Sequence, residues 1–286
     1  MILKIGIVGD MHLGPLAYFR GELRKMGSES EEQTARFVKA MNETFKPDIV
    51  LNLGDIIQEV GDPELDLGRY RRIFTILEGL DAPIYPTVGN HDLIGMTREE
   101  LLPLWHEQTA FGRLEANQRG AEGRLYYRFQ AGEFEFLVLE SHEERTKYIA
   151  LDEEQIAWLE RSLLNGTGPV VVVVHHSLAD QDTTGSVWFE DYPQLALIRE
   201  RVRVRELMAS SGRVVAVING HLHRNNITWH DEIPYITVQS LIENMTGGAE
   251  GKACEAWGEG ELTAERLKLD VVGLDPARWD LPLRAV

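Results

Sequence analysis

Short runs of apolar residues alternate with segments in which apolar positions recur every three or four residues. The runs are typical of strands buried on both faces, and the spaced segments are typical of amphipathic helices. We predict strands over residues 2–8, 48–53, 84–88, 170–174 and 214–218. We predict helices over residues 31–45, 67–80, the segment between Asp152 and Gly166, and about 195–210. This alternation predicts an α/β fold with a largely parallel sheet.

Elsewhere the pattern predicts strands that follow one another without an intervening helix. Residues 124–130 and 133–139 flank Ala131-Gly132 and predict an antiparallel hairpin. Further antiparallel strands are predicted over residues 226–230, 234–238 and 261–271. Because the chain has no internal repeat and no Pro- or Ser-rich linker, we expect residues 1–286 to form a single domain. Its C-terminal part, from about 226 to 286, is expected to complete the second of two sheets.

Composition and charge narrow the class of protein. The chain has 46 Asp and Glu against 29 Lys and Arg, a formal charge of −17, which argues against binding a long nucleic acid or an anionic membrane. The single cysteine, Cys254, excludes an intramolecular disulfide framework and a thiolate metal cluster. The N-terminal apolar run ends at Asp10, too early for a membrane span and without a signal-peptide cleavage region. We therefore expect a cytoplasmic protein.

Side chains that bind metals follow five of the predicted strands. Asp10 and His12 come two residues apart, so an extended backbone would place both on one face. The later strands are followed by Asp55, Asn90, His91, His175, His221 and His223. Singly, a Gly-Asp or Gly-Asn pair indicates an ordinary turn just as well. Their repetition at successive strand ends, where α/β sheets bind ligands, predicts a metal site instead.

The donor set indicates what kind of metal site this is. Seven side chains are more than one cation can bind while keeping a water, so two metals about 3.5–4 Å apart with a shared carboxylate are predicted; these are Asp10, His12, Asp55, Asn90, His175, His221 and His223. Nitrogen and oxygen donors without thiolate favour two divalent or mixed-valence ions of Mn, Fe, Zn or Co. Such a pair lowers the pKa of a bridging water to roughly 7 and binds phosphoryl oxygens. The set therefore predicts phosphoester hydrolysis by attack of a metal-bridging hydroxide.

Taken in order along the chain, these motifs resemble those of the calcineurin-like metallophosphoesterase superfamily. They are Asp-Xaa-His at 10–12, Gly-Asp at 54–55, Gly-Asn-His-Asp at 89–92, a histidine after an apolar strand at 175, and Gly-His-Xaa-His at 220–223. The resemblance implies a four-layer sandwich of two mixed β-sheets flanked by helices. It also implies that His91 is catalytic and not a metal ligand, contacting the phosphate and protonating the leaving group.

The resemblance further implies how the ligands divide between the two metals. One metal is implied to bind Asp10, His12 and His223, the other Asn90, His175 and His221, and Asp55 is implied to bridge them.

Two features leave the subfamily and the substrate contacts open. Many bacterial phosphodiesterases of this superfamily follow the isolated histidine with His-Pro-Pro, whereas in this chain His175 is followed by His176-Ser177-Leu178. His176 is interpreted either as a substrate-binding residue or partner of a ligand, or as a structural histidine. Residues 13–30 form a long loop that either contacts the substrate, with Arg20 as the candidate residue, or is solvated; it carries Tyr18, Phe19, Arg20, Arg24 and Lys25.

We accordingly predict a phosphodiesterase or pyrophosphatase for small nucleotide-like substrates, similar to cyclic-nucleotide and ADP-ribose-type phosphodiesterases. The alternatives are a nuclease, a protein Ser/Thr phosphatase, or a non-catalytic scaffold of the same fold. The acidic charge does not exclude a small phosphate ester, because two cations would outweigh the charges of Asp10 and Asp55. The segment from Gly258 onward could cover its own sheet or a neighbouring subunit, so a homo-oligomer is also considered.

Overall fold

The computed structural model describes residues 1–144, 146–246 and 251–286. Within them the strands are β1 Leu3–Val8, β2 Leu16–Phe19, β3 Glu22–Met26, β4 Ile49–Asn52, β5 Ile84–Pro86, β6 Tyr127–Ala131, β7 Phe134–Val138, β8 His142–Glu144, β9 Tyr148–Ala150, β10 Val170–Val173, β11 Val214–Asn219, β12 Asn226–His230, β13 Ile233–Thr237, β14 Trp257–Leu262, β15 Arg266–Val272 and β16 Ala277–Pro282. The helices are α1 Ser30–Ala40, α2 Pro63–Leu77, α3 Asn90–Gly95, α4 Arg98–Gln108, α5 Glu153–Asn165 and α6 Arg201–Ser211.

Most of the strands form two six-stranded mixed sheets. The first has the order β16-β15-β14-β1-β4-β5, and the second has the order β12-β13-β11-β10-β7-β6. In the first sheet β1, β4 and β5 run parallel, and in the second β7, β10, β11 and β13 do. The predicted α/β architecture of two mixed sheets with helices is confirmed.

The valines of β10 show how the second sheet is buried on both faces. Val171 and Val173 belong to a large apolar cluster that also contains Ile5 and Ile7 of the first sheet. The alternate residues of β10 belong to a second cluster together with residues of α5 and α6. Since successive side chains of a strand point to opposite faces, one apolar run supplies both clusters.

The C-terminal strands are distributed differently from the prediction that residues 226–286 complete the second sheet. β12 and β13 do join the second sheet, but β14, β15 and β16 extend the first sheet. β14 pairs antiparallel with β1, from Leu3 opposite Leu262 to Ile7 opposite Gly258. It thereby takes the edge of β1 that β4 leaves free. The single strand predicted over 261–271 is in fact parts of β14 and β15, joined by a turn.

Two loops also differ from the sequence-based expectation. Residues 13–30 contain the hairpin β2–β3, and α6 begins at Arg201 instead of near Leu195. The residues before α6 instead form a 3₁₀ turn at Pro193–Leu195 and isolated bridges at Leu197 and Ile198, where the N–H of Ile198 donates to the carbonyl of Ser177 at 3.0 Å. Among the described residues, no helix combines the length and apolar character needed to cross a membrane.

Candidate metal centre

The predicted metal-binding side chains come together at the carboxyl ends of the parallel strands. The described residues contain four groups of three in which one ligand atom from each lies within 4.8 Å of the others. These groups are Asp10, His12 and His223; Asp10, Asp55 and His175; His12, Asp55 and His91; and His175, His176 and His221. Because the groups share members, they form one continuous cluster that could hold more than one metal ion.

The backbone that carries this cluster is left-handed at several positions and not extended. Asp10 and His12 have φ of 51° and 42°, and Asp55, His221 and His223 have φ of 53°, 67° and 47°. The expectation that Asp10 and His12 share one face of an extended segment is therefore wrong: each turns toward the cluster through a tight bend. Such conformations are unfavourable for residues other than glycine and concentrate at functional sites.

Two glycines allow carboxylates to approach the backbone closely. A Cβ atom on Gly89 would lie 2.0 Å from Asp55 Oδ1, and one on Gly220 would lie 2.5 Å from Asp10 Oδ2. Because Gly89 has no Cβ atom, Asp55 Oδ1 can lie there and accept the backbone N–H of His91 at 2.9 Å. Any larger residue at either glycine would push a carboxylate out of the cluster.

On one side of the cluster, Asp10, His12 and His223 form what we call the Asp10 group. The Nε2 atoms of His12 and His223 lie 3.1 Å apart, and His223 Nε2 lies 3.4 Å from Asp10 Oδ1. Charged side chains contact the outer nitrogens of both rings. His223 Nδ1 lies 2.6 Å from Glu243 Oε2, and His12 Nδ1 lies 3.3 Å from Lys25 Nζ.

On the other side, Asn90, His175 and His221 form what we call the His175 group. Backbone carbonyls bind the outer nitrogens of its imidazoles: His175 Nδ1 donates to Leu53 O at 2.7 Å and His221 Nε2 to Leu195 O at 2.9 Å. His175 Nε2 faces inward, 3.3 Å from Asp55 Oδ2.

Asn90 in the same group is oriented in a similar way. Its Nδ2 donates to Glu143 Oε2 at 3.2 Å, while its Oδ1 is buried without a hydrogen-bond partner in the described part of the chain.

The orientation of these donors fits a pair of cations. Three of the four imidazoles of the two groups, those of His223, His175 and His221, have one nitrogen held by an outer acceptor, which leaves the other nitrogen for the centre of the cluster. This is the arrangement by which proteins fix the tautomer and angle of a metal-binding histidine. Among the described residues, Asn90 Oδ1 is buried without a hydrogen-bond partner, and His175 Nε2 has Asp55 Oδ2 beside it at 3.3 Å; both atoms are placed as expected of donors of a lone pair to a metal.

In the metal-free protein, burial lowers the pKa of His12 and His221, whereas carboxylates raise the pKa of His175 and His223. Burial lowers the pKa of His175, but Asp55 and Asp10 outweigh it and raise that pKa to about 9. Burial likewise opposes protonation of His223, yet hydrogen bonds with Asp10 and Glu243 raise its pKa to about 9. Burial also raises the pKa of Asp55, but His175 and His91 more than reverse this and hold it well below its usual value. His175 and His223 are therefore protonated at neutral pH in the metal-free protein, and bound cations would displace these protons.

His91 lies at the edge of the cluster, at the start of α3. Its Nδ1 makes a short hydrogen bond to the carboxylate of Glu59, and its Nε2 lies 3.3 Å from Lys25 Nζ. Because the Nδ1–H of His91 donates a hydrogen bond to Glu59, Nε2 is the nitrogen that faces the cavity and can exchange a proton there.

Asp92 organises the turn beneath His91. Its carboxylate accepts backbone N–H groups of Asp55, Ile56 and Gly89 at 2.9–3.0 Å. Burial and the nearby Asp55 raise the pKa of Asp92 to about 7, against the lowering effect of these N–H groups. Asp92 thus joins the ends of β4 and β5, a role that its place in Gly-Asn-His-Asp does not by itself indicate.

The two predicted substrate contacts lie away from the centre of the cavity. Arg20 is at the tip of the β2–β3 hairpin, where it is exposed and pairs with Asp191. His176 is fully buried behind His221, with its Nδ1 2.7 Å from Ser141 Oγ. The structure brings neither to the cavity wall, and both remain predictions as substrate contacts.

A cavity of about 300 Å³ opens over the cluster. Its walls include residues of both groups as well as Lys25, Gln58, Glu143, Trp188 and Phe189. Trp188 Nε1 donates to Glu243 Oε1 at 3.3 Å, so one carboxylate contacts both a cavity wall and His223. Sequence reasoning indicates Lys25 only as one of several residues in the loop over 13–30 and does not single out Glu59, Glu143 or Glu243, because none of the four stands in a strand-end motif.

A comparison with known protein families identifies the family of this chain. The family described as calcineurin-like phosphoesterase matches residues 3–225, about three quarters of the chain. The chain belongs to the calcineurin-like phosphoesterase family. The matched region includes both groups of the cluster and excludes Glu243, which lies beyond its end.

Relatives with curated names are distant. A probable cyclic nucleotide phosphodiesterase of Psychrobacter arcticus is 24% identical over 71% of this chain and 66% of its own length. A manganese-dependent ADP-ribose/CDP-alcohol diphosphatase of Arabidopsis thaliana is 26% identical over 47% of this chain and 38% of its own. The matches thus span less than two thirds of the length of these relatives.

Among solved structures, a dimetal phosphatase from Danio rerio superposes with a TM-score of 0.75. The alignment covers 99% of both chains at 16% sequence identity, so it shows a shared fold.

Proposed function

We propose that this protein is a binuclear metal-dependent phosphoester hydrolase that acts on small phosphodiesters or nucleotide pyrophosphates. The observation that carries the proposal is the orientation of the donors: His223, His175 and His221 each turn one nitrogen inward while an outer acceptor holds the other, and His12 turns its Nε2 toward Asp55. A turn that merely ended a strand would not need such outer partners. The names of the Psychrobacter and Arabidopsis relatives support the same reaction class.

In this proposal the Asp10 group binds one cation and the His175 group binds the other. Asp55 is shared, since its Oδ2 lies 3.6 Å from His12 Nε2 and 3.3 Å from His175 Nε2. When bound, two such cations activate a water molecule as the nucleophile and offset the negative charge of the phosphoryl transition state.

His91 is proposed to deliver a proton to the leaving oxygen from Nε2. Glu59 fixes the ring through Nδ1, and the backbone N–H of His91 is bound to Asp55, so the imidazole is placed relative to the shared ligand. A positioned acid of this kind contributes about 10²- to 10⁴-fold to a rate.

The size and charge of the molecule support a small substrate. A cavity of about 300 Å³ accommodates a nucleotide-sized fragment better than a folded partner. The formal charge of −17 disfavours a long nucleic acid, whose binding depends on cationic side chains. We propose manganese, iron, zinc or cobalt as the metals, because the donors are nitrogen and oxygen.

The test begins with protein stripped by a chelator and reloaded separately with Mn²⁺, Fe²⁺, Co²⁺ or Zn²⁺. We expect two metals per chain by elemental analysis and hydrolysis of bis(p-nitrophenyl) phosphate with at least one of them. A panel of a cyclic nucleotide, ADP-ribose, single-stranded DNA and a phosphopeptide then ranks substrate classes. Absence of hydrolysis with all four metals contradicts the proposal.

The role of His91 is tested by His91→Ala, with His106→Ala on the exposed side of α4 as the matched control. We expect kcat to fall about 10²- to 10⁴-fold with two metals retained, and the control to match the parent protein. Loss of metal in His91→Ala would instead make His91 a ligand.

A further inference from the structure

The side chain of Lys25 enters the cavity from the covering hairpin. It belongs to β3, is only 5% exposed, and lines the cavity together with His91 and Asp55. Its Nζ lies 3.3 Å from His12 Nδ1, 3.1 Å from Gln58 Oε1 and 3.3 Å from His91 Nε2. In the described part of the chain, its hydrogen bonds therefore go to an amide and two imidazoles and to no carboxylate.

The backbone around Lys25 is held in place from both sides. The N–H of Met26 donates to Ile242 O at 2.9 Å, and the N–H of Asn244 donates to Arg24 O at 2.6 Å. Backbone hydrogen bonds on both sides of Lys25 thus hold its side chain at the cavity.

Burying an ammonium without a carboxylate hydrogen bond costs free energy. Asp55, Glu243 and the ring of Trp188, 5.1 Å from Nζ, offset this cost only in part, since burial still lowers the pKa of Lys25, so its presence here calls for a function.

Counting acceptors shows that Lys25 has a hydrogen-bond donor to spare. An imidazole that binds a metal through Nε2 carries its proton on Nδ1, so His12 Nδ1 cannot accept from Lys25 once that group is loaded. Gln58 Oε1 and, at most, His91 Nε2 remain as acceptors for the three N–H groups of the ammonium. At least one N–H is then left for an acceptor that enters the cavity.

We propose that Lys25 is a substrate-contacting residue, whose Nζ donates a hydrogen bond to a phosphoryl oxygen beside His91. The inference rests on the proposed function, because that reaction brings a phosphate to this place. Lys25 thereby adds a cationic hydrogen-bond donor from the β2–β3 hairpin to a site whose metal-binding side chains follow the strand ends. A charge-assisted donor of this kind stabilises an anionic substrate and its transition state.

The test compares Lys25→Met with Lys39→Met, an exposed lysine on α1. In Lys25→Met we expect kcat/KM for bis(p-nitrophenyl) phosphate to fall about 10- to 100-fold, the range for a lost hydrogen bond to a charged group. Inhibition by inorganic phosphate should weaken by a similar factor. Metal content should stay at two per chain, and the unfolding temperature of the metal-free protein should be equal or higher, since an unpaired charge is removed. Lys39→Met should match the parent, and Lys25→Arg should restore part of the phosphate affinity.

Two results would overturn the inference. If Lys25→Met keeps the parent kcat/KM and phosphate affinity, Lys25 does not contact the substrate. If metal and activity are lost in parallel, Lys25 supports His12 instead. Should Lys25→Met fail to fold, Lys25→Gln, which keeps a polar group, is judged by the same criteria.

Phosphate binding separates this inference from the proposed function. A loaded parent protein that hydrolyses none of the esters contradicts the proposed function. Calorimetric binding of inorganic phosphate by that protein, weakened in Lys25→Met and unchanged in Lys39→Met, would still support Lys25 as a phosphate contact.

Discussion

The Asp10 group and the His175 group hold the same kind of ligand by different means. In the Asp10 group, charged side chains contact the outer nitrogens: Glu243 that of His223 and Lys25 that of His12. In the His175 group, the carbonyls of Leu53 and Leu195 do so. A carbonyl fixes a ring without adding charge, whereas a carboxylate also makes the imidazole a stronger donor.

This difference implies that the two metal positions are not equivalent. The Asp10 group has a carboxylate ligand of its own and Glu243 behind it, while the His175 group has only neutral ligands apart from the shared Asp55. We therefore expect one metal to bind more tightly than the other, and expect the weaker one to belong to the His175 group.

Asp55 Oδ2 lies beside inward nitrogens of both groups, His12 Nε2 at 3.6 Å and His175 Nε2 at 3.3 Å, so its removal should have the largest effect. In Asp55→Ala we expect loss of both metals and a fall in kcat of about 10³-fold or more, because the cations supply several kcal/mol of transition-state stabilisation. Asp81→Ala, in an exposed turn, is the control. Metal analysis after gel filtration makes the measurement; retention of two metals would show that the groups bind independently of Asp55.

Two glutamates, each in contact with a ligand of a different group, allow the two metal positions to be compared. Glu243→Gln weakens the support of His223, and Glu143→Gln weakens that of Asn90. We expect Glu243→Gln to lower the affinity of the tighter metal about 10- to 100-fold, and Glu143→Gln to have a smaller effect, confined to the weaker metal. Metal titration by calorimetry resolves the two steps. Equal effects of both variants on both steps would contradict the distinction between the groups.

The metal-free protein should show a pH dependence that originates in both groups. His175 and His223 have a pKa of about 9 in the folded protein, above the value of about 6.5 for an unfolded histidine. Their stabilising contribution is therefore complete below about pH 6.5 and is lost as the pH rises through 9. We expect the unfolding temperature of the metal-free protein to fall over this interval.

Glu243→Gln provides the control for this pH dependence. Because Glu243 helps to raise the pKa of His223, its replacement should make the fall shallower. An unfolding temperature that is constant from pH 6.5 to 9 would contradict the assignment.

What could be predicted from the sequence follows from strand-end geometry. Carboxyl ends of parallel strands meet at one edge of a sheet, so Asp55 and His175 could be expected near each other although they lie 120 residues apart in the chain. The left-handed backbone at Asp10 and His12 could not be predicted in this way. It depends on contacts with other turns, such as the N–H of His12 donating to Asp55 O at 2.9 Å.

The sequence indicates Lys25 only as one of several residues of the loop over 13–30 and does not indicate Glu243, for a related reason. Lys25 and Glu243 reach the cluster because β3 pairs with the segment after β13, forming a bridge between these two residues. Pairing between segments so far apart in sequence has no local signal in composition or spacing. Arg20 lies at the tip of that hairpin and pairs with Asp191, and its contact with the substrate stays a prediction.

Arg20 gives the smallest expected effect and separates the hairpin tip from the cluster it covers. Its ion pair with Asp191 is more than half exposed on both sides, and exposed pairs contribute little because water screens them. We expect Arg20→Ala and Asp191→Ala each to change kcat/KM by less than about threefold and the unfolding temperature by less than about 2 °C. If Arg20 contacts the substrate, as the sequence suggested, Arg20→Ala alone will raise KM while Asp191→Ala will not. Steady-state kinetics on the two single variants and the double variant decide between these outcomes. If the two side chains interact only with each other, both single variants should change kcat/KM by the same small factor.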